Sequence, residues 1–324
     1  MFNWPVDLAV HPRDGTLYVC DRDNNRVVVF DRTGTLVKPW TADFRHPMHV
    51  TVDACTMTVY VSEHGGCCVK AFSEDGTRLY TLQHGKDQKP FTGPRAMAVD
   101  AGQLYVIDTW SHYVPIFDRS GSFMRCLGTP SRGPAENNPL RGDCSFNVPN
   151  GIVADCQLGL IYVCDKANHR VQVYSRTGTL VRTIGQFAAP GKGQYEFNLP
   201  RSVALDAVSK VLYIVDTSNH RVVEFDVSRI LPLDVPELKV LDHTELYLTA
   251  LPVPGASGVA VDDDGGLVYV AVGGEHHVLV YSTGHELLRT MGVPGNPGAG
   301  DLFNWPVDLA VHPRDGTLYV CDRD

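Results

Sequence analysis

A tyrosine recurs inside a short apolar run at Tyr18, Tyr60, Tyr105, Tyr162, Tyr213, Tyr269 and Tyr319, in steps of 42, 45, 57, 51, 56 and 50 residues. Such a period means the chain is built from copies of one small unit, which buries its apolar faces only against its neighbours. Within each copy the order is the same. A phenylalanine and a proline come first (FNWP, FRHP, FTGP, FNVP, FNLP), then an apolar stretch closed by Asp or His (LAVH, VTVD, MAVD, VALD). The tyrosine run, a polar turn, a valine-rich run (RVVVF, RVQVY), a glycine turn and a last run such as LVRTIG follow. These are four short runs rich in Val, Tyr, Ile and Phe, separated by Gly, Asp and Asn, which is strand and turn chemistry. Only 227–250 is irregular enough to hold a helical turn. Six complete units begin near Phe2, Phe44, Phe91, Phe146, Phe197 and Leu251. Four-stranded units repeated radially are the blades of a β-propeller, which protects its sheet edges by closing on itself. The expected fold is therefore all-β: a six-bladed β-propeller of four-stranded antiparallel blades over 1–302, followed by a duplicated half-blade at 303–324.

The pattern F-x-x-P, A-V-D, L-Y-V-x-D, N-H-R-V-x-V-F resembles the NHL repeat. Asn168-His169-Arg170 and Asn219-His220-Arg221 hold the signature letters, with Val171 and Val222 in place of the final leucine. The resemblance covers essentially the whole chain and implies the six-bladed ring. It also implies a structural role for an acid and an arginine five residues apart, at Asp21/Arg26, Asp165/Arg170 and Asp216/Arg221. In the family this pair staples the second and third strands, and a planar guanidinium suits a carboxylate there through a forked hydrogen bond. The second unit has Glu63 and Cys68 at these places, the third Asp108 and Tyr113, and the sixth Val272 and His277. Those departures mark weaker blades or a specialised surface.

Residues 2–23 and 303–324 are identical over 22 positions, whereas the other copies share only the pattern. The second copy spells the first two strands of a seventh unit. A ring of six places makes the two copies compete for one of them. Residues 303–324 then protrude, or dock beside the strands of 24–42 as a ring-closing clasp, or exchange between molecules to give a strand-swapped oligomer.

In a propeller the loops before each first strand and after each second strand share one face. The two positions after each motif proline open there, near the central channel. They are Val6-Asp7, Met48-His49, Arg95-Ala96, Asn150-Gly151, Arg201-Ser202 and, aligned without a proline, Ser257-Gly258. Asp7, His49, Arg95, Asn150 and Arg201 are the expected channel-mouth set. The peptide-amidating lyase, similar in fold, places histidines after several of these prolines to hold zinc. Here only His49 is near, one place late, and one histidine does not make a three-ligand zinc site. Lactonase-type propellers use acids and an asparagine around a channel calcium. Asp7 and Asn150 match, but Arg95 and Arg201 put two cations among the hard-oxygen ligands. A metal-dependent lyase or lactonase is the weakest expectation, and the sequence assigns no catalytic residue, metal ligand or cofactor.

Arginine forks match carboxylates. The mouth is therefore expected to take an acidic or carboxylate-bearing segment, the chain acting as a non-catalytic protein-interaction scaffold through its loop-bearing face. The alternative partner is RNA, which some NHL propellers bind through a basic, aromatic-bearing top face. Arg132, Arg141, Lys192 and Tyr195 lie in the two longest loops, 128–145 and 185–196, and would add cations and a stacking ring. Glu136, Asp143 and Glu196 in the same loops count against it. With 28 basic and 37 acidic residues the net charge is −9, which disfavours a generally phosphate-seeking surface without excluding a local patch.

No apolar run nears the roughly 18 residues a membrane helix needs, so no membrane association is expected. The opening MFNWPVDLAVH enters patterned sequence at once, without the basic and apolar stretches of a secretory signal. Nine cysteines form neither a C-x-x-C pair nor a regular framework. Cys20, Cys164 and Cys321 take the place held by Ser62, Ile107, Val215 and Ala271 in other copies, as small buried hydrophobes do. A reducing, cytoplasmic compartment is the expectation.

Overall fold

The computed structural model describes residues 1–41, 43–85, 89–128, 145–230, 246–262, 265–292 and 303–323. Within them the chain forms six four-stranded antiparallel sheets and one two-stranded sheet. Blade 1 comprises β1 (Pro5–Val10), β2 (Leu17–Asp21), β3 (Arg26–Phe30) and β4 (Leu36–Trp40). Blade 2 comprises β5 (Pro47–Val52), β6 (Val59–Glu63), β7 (Cys68–Phe72) and β8 (Arg78–Leu82). Blade 3 comprises β9 (Pro94–Asp100), β10 (Gln103–Asp108), β11 (Val114–Phe117) and β12 (Phe123–Leu127). Blade 4 comprises β13 (Pro149–Asp155), β14 (Leu160–Asp165), β15 (Arg170–Ser175) and β16 (Leu180–Gly185). Blade 5 comprises β17 (Pro200–Asp206), β18 (Val211–Asp216), β19 (Arg221–Asp226) and β20 (Tyr247–Pro252). Blade 6 comprises β21 (Ala256–Asp262), β22 (Leu267–Val272), β23 (His277–Ser282) and β24 (Leu287–Gly292). The two-stranded sheet holds β25 (Pro306–Val311) and β26 (Leu318–Asp322). The only helical elements among the described residues are single 3-10 turns at Lys166–Asn168, Thr217–Asn219 and Gly273–Glu275. Much of the irregular stretch expected to hold a helical turn, 231–245, lies outside the described residues.

Burial explains why the second and third strands read as continuous apolar runs. They are covered on both faces by neighbouring blades, so β14 and β15 are buried at every residue. The outer strands have a bare edge and read more mixed: in β4 all but Trp40 are exposed. The recurring tyrosine of the second strand is the inter-blade filler, 0–2 % exposed at Tyr18, Tyr60, Tyr105, Tyr162 and Tyr213. A buried ring of that kind contributes on the order of 2–3 kcal/mol. Each pair of neighbouring blades encloses its own apolar cluster.

The two copies of the duplicated segment do not compete for one place. First strands pack side by side around the axis in chain order, and β25 lies between β21 and β1. One cluster joins it to blade 6 through Leu309, Ala260, Tyr269 and Val278, with Phe303 and Val311 against it. Another joins it to blade 1 through Cys321, Leu8 and Val19. Small residues permit the approach. A Cβ on Gly258 would sit 2.9 Å from the Val307 carbonyl oxygen, and the Ser257 hydroxyl donates to the Pro306 carbonyl at 3.0 Å. The expected competition for one of six places is absent for this reason: the first strands alone complete the inner circle, with β25 as a seventh between β21 and β1.

Candidate binding site at the channel mouth

Every first strand begins with a slipped register. Pro5 faces Asp21 but Asp7 faces Cys20, and Pro47 faces Glu63 but His49 faces Ser62. The same slip separates Pro94 from Met97, Pro149 from Ile152, Pro200 from Ser202, Ala256 from Gly258 and Pro306 from Asp308. Residues inside the slip are out of the ladder, so the strand bulges and re-aims its side chains toward the axis. A proline fits the first place because it has no ladder N–H to give. The residue before it is left-handed at Trp4 (φ 56°), His46 (φ 51°), Val148 (φ 52°) and Leu199 (φ 56°).

The turn after each second strand holds that bend in place. Asp21, Asp165 and Asp216 accept the backbone amides of Asn3, Asn147 and Asn198 at 2.7, 2.6 and 2.6 Å. The same carboxylates take Nε of Arg26, Arg170 and Arg221 at 2.6, 2.8 and 2.8 Å. They also take the side-chain amides of Asn24, Asn168 and Asn219. Arg170 and Arg221 reach on to the carbonyls of Ser145 and Glu196. Between Asn and Arg, His169 turns left-handed (φ 57°) and its Nδ1 accepts the Leu199 amide of the next blade at 3.2 Å. Each letter of the Asn-His-Arg turn thus has a separate bonding task. In blade 2 Glu63 instead pairs with Lys70 at 2.6 Å. In blade 3 Asp108 takes the amides of Thr92 and Gly93.

Together the bulges enclose a polar cavity of about 300 Å³ whose lining includes Asp7, His49, Arg95, Asn150, Arg201, Ser257, Asp308 and Arg323. All five residues expected at the mouth are there. A second cavity of about 370 Å³ opens over blades 1 to 3, lined by Trp4, Arg22, His64, Arg95, Trp110 and Arg323 among others. Arg95 and Arg323 belong to both, which joins the two into a funnel.

The funnel is cationic. Burial, together with Arg201, Arg323 and Arg22, holds the Arg95 pKa down to about 10, still far above neutral pH. Burial also lowers Arg201 and Lys166. Among the described residues neither the Arg95 nor the Arg201 guanidinium has a carboxylate at ion-pair distance. At the floor Asp7 and Asp308 face each other. Burial and then the Asp308 carboxyl push Asp7 well above the usual carboxylate range, and burial raises Asp308 as well. Burial and then Arg95 push His49 down to about 4, so it is neutral there, 3.9 Å from Asp7.

Sequence reasoning missed Asp308, Arg323, Arg22, Trp4 and Trp110. Asp308 and Arg323 come from the second copy, which was not assigned its own place in the ring. The others sit beside strand ends, Trp4 and Arg22 in blade 1 and Trp110 in blade 3, at places where the other blades carry different residues. Of the expected loop contacts, Lys192 is exposed and its carbonyl accepts Arg221. Tyr195 is not a free stacking ring: it packs 5.9 Å from Phe225 and its hydroxyl accepts the Tyr247 amide. Arg132 and Arg141 lie outside the described residues. The one metal-competent triad among the described residues, His11, Asp14 and Glu74, is on the opposite face, where Arg13 already pairs with Glu74 at 2.5 Å. No helix among the described residues is long and apolar enough to cross a membrane.

A ring of four-stranded blades, each opened by a bulge, five of them at a proline and four of them tied by an Asp-to-amide bond, defines a β-propeller with a polar mouth. The family model of the NHL repeat matches residues 2–30, 146–174 and 197–225, the three blades that keep the whole Asp/Arg pair. NHL repeat-containing protein 3 of Mus musculus is 29% identical over 184 residues, 52% of this chain and 51% of that protein. The chain thus matches about half the length of that relative. NHL repeat-containing protein 3 of Homo sapiens is 25% identical over 295 residues, 85% of this chain and 78% of that protein. The Cps50 (Swd1) β-propeller domain of Myceliophteria thermophila superposes with a TM-score of 0.72 at 14% identity, covering 99% of this chain and 95% of that one. The chain thus carries NHL repeats at three places and folds as a β-propeller of six four-stranded blades with a further two-stranded sheet.

Proposed function

We propose that the chain is a non-catalytic scaffold that docks other proteins through its loop-bearing face, the funnel seating an acidic side chain or terminal carboxylate between Arg95 and Arg201. The observation behind this reading is the pair of guanidiniums without a carboxylate at ion-pair distance among the described residues, above an acid pair whose buried carboxyls hold their protons more tightly than usual. The test is a titration with an acidic octapeptide, in wild type and in Arg95→Ala/Arg201→Ala. Losing charge-assisted bonds should weaken binding about tenfold or more, and equal affinity overturns the reading.

RNA is the second reading, favoured by one observation. Trp110 is 58% exposed and shares its pocket with Arg22, Arg95 and Arg323, a ring beside cations as single strands require. An oligouridylate arm in the same titration separates the two. RNA takes first place if that oligomer binds more tightly, with a steep salt dependence, and if Trp110→Ala abolishes the binding.

The same proposal divides the chain into a propeller at 1–302 and a ring-completing element at 303–324. Its support is the burial of Leu309 and Cys321 between blades 6 and 1. Deleting 303–324 should lower Tm by about 5 °C, and an unchanged Tm refutes the division. Cys20, Cys55, Cys67, Cys68, Cys156, Cys164 and Cys321 are free thiols, which fits a reducing compartment such as the cytoplasm.

A further inference from the structure

Two tiers of residues surround the funnel, and each repeats once per blade. The lower tier is the residue after the first-strand proline, where Arg95 stands in blade 3, Asn150 in blade 4 and Arg201 in blade 5. The first strands of these blades, β9, β13 and β17, lie side by side. The upper tier is the residue that follows each second strand. Arg22, Lys166 and Arg323 stand there, with His64, and no blade puts an acid at that place. Two of these cations are already engaged: Arg22 meets Asp23 at 3.3 Å, and Arg323 lies over the Trp4 ring at 3.9 Å. Lys166 differs. It is half-buried on the 3-10 turn of blade 4, and among the described residues no carboxylate is at ion-pair distance from it. Burial, then Arg201 and Arg95, lowers its pKa, so both guanidiniums of the lower tier press on its ammonium. Three cations from three consecutive blades thus gather at one corner of the mouth, with the buried Asn150 among them.

We propose that this corner seats the phosphomonoester of a phosphorylated side chain on a partner protein, a ligand that rests on the protein-docking reading above and narrows it. A carboxylate has two oxygens and one charge, which Arg95 and Arg201 satisfy between them. A phosphomonoester has three terminal oxygens and close to two charges at neutral pH. Its third oxygen is one acceptor more than the carboxylate offers, and Lys166, a compact ammonium in the tier above, is the donor for it. Asn150, in the lining between the two arginines, brings a neutral amide donor to the same place. Repulsion among three half-buried cations adds to the preference, because a dianion offsets more of it than a monoanion does. A phosphodiester fits less well. It has two unbridged oxygens and a single charge, and an RNA strand spaces its charges along the backbone instead of gathering two at one point.

The probes are three octapeptides of glycine and alanine that differ at one central residue: phosphoserine, glutamate or serine. Each is titrated into the full chain by calorimetry, beside inorganic phosphate and an oligouridylate. The phosphoserine peptide should bind about tenfold more tightly than the glutamate peptide, and the serine peptide should not bind measurably. Lys166→Gln should cut that preference to about twofold, whereas Arg95→Ala/Arg201→Ala should weaken both charged peptides. The deciding comparison lies between peptides on the unaltered chain, so folding of a variant does not enter. Equal binding of the phosphoserine and glutamate peptides, both weakened by the double variant, overturns the phosphate site and leaves the carboxylate reading standing. Failure of both peptides to bind sinks the two together. Inorganic phosphate that binds as tightly as the phosphoserine peptide removes the partner protein from the assignment, and an oligouridylate that displaces that peptide at equal or lower concentration gives the site to RNA. A preference that survives Lys166→Gln in full refutes the three-cation seat.

Discussion

Residues 2–23 and 303–324 share every side chain and differ in most of their neighbours. What stays the same is local. Both copies form the same hairpin with the same bulge after proline. Both bury a histidine whose Nδ1 meets the aspartate three residues on, at 2.7 Å for His11–Asp14 and 2.8 Å for His312–Asp315. What differs is set by the next blade. Tyr18 packs 5.2 Å from Trp40 and is buried, while Tyr319 is half-buried. Trp4 lies under the Arg323 guanidinium at 3.9 Å, while Trp305 is 44% exposed and meets His276 edge-on. Sequence separation of about 20 residues suffices to write the hairpin, but its energy is written by residues elsewhere.

The sharpest way to break this comparison is to truncate the shared tyrosine in each copy. Tyr18→Ala should cost about 4 kcal/mol and Tyr319→Ala about 2 kcal/mol, because a cavity penalty needs a fully enclosed ring. Urea unfolding measures both, and equal losses would mean that the copies are energetically equivalent.

A smaller gap is expected for the terminal acids. Asp21→Ala leaves Arg26 and the Asn3 amide without their acceptor, a loss of about 3 kcal/mol. Asp322→Ala frees only backbone amides, a loss of about 1 kcal/mol. A cost at Asp322 as large as that at Asp21 would show a basic partner already seated there.

These contrasts also mark what the sequence could and could not say. The blades were legible because four short runs and their turns repeat, and the mouth was legible because the proline that opens five of the six bulges is in the repeat. Asp7, His49, Arg95, Asn150 and Arg201 followed from that position alone. Trp110 and Arg22 did not, since the matching turns of the other five blades carry other residues and Arg22 recurs only in the duplicate, as Arg323, and only the ring brings them to one pocket. Tyr195 misled because a tyrosine in a glycine-rich loop looks available, whereas Phe225 and Tyr247 from distant strands enclose it. Nor could an exact duplicate reveal that its copies occupy two places, because identical sequences supply no difference to read.

The channel carboxylates sharpen the comparison through pH. Asp7 and Asp308 hold protons in the fold that the unfolded chain releases near pH 4. Their contribution is therefore present at low pH and lost as pH rises through the raised folded values. His49 acts the other way: with a folded pKa of about 4 against about 6.5 unfolded, its contribution is complete above 6.5 and lost as pH falls toward 4. Asp308→Asn removes the like charge beside Asp7 and should add about 1 kcal/mol at pH 8 and nothing near pH 4. Asp7→Asn should gain less, because Asp7 also accepts the Val50 amide at 2.7 Å. Denaturation midpoints across this range decide it, and a gain of the same size at pH 4 would rule out charge as the cause.

The smallest contrast lies on the opposite face. Arg13 meets Glu74 in the third-to-fourth strand turn of blade 2. At the corresponding turn of blade 1, beside the second copy, stands Arg32, which Asp315 meets at 3.7 Å. The same arginine therefore faces an acid in one copy, while its counterpart Arg314 has a base at the matching turn. Both Arg13 and Glu74 are well exposed, so Arg13→Ala should cost no more than a few tenths of a kcal/mol, and that cost should vanish near 1 M salt. Arg314→Ala should cost nothing, and Arg314→Glu should gain a few tenths at low salt by giving Arg32 a second acid. Unfolding midpoints at low and high salt test the pair. A salt-sensitive loss at Arg314 equal to that at Arg13 would mean that 303–324 can also sit beside Glu74, the place held by 2–23, and that the two copies exchange within one ring.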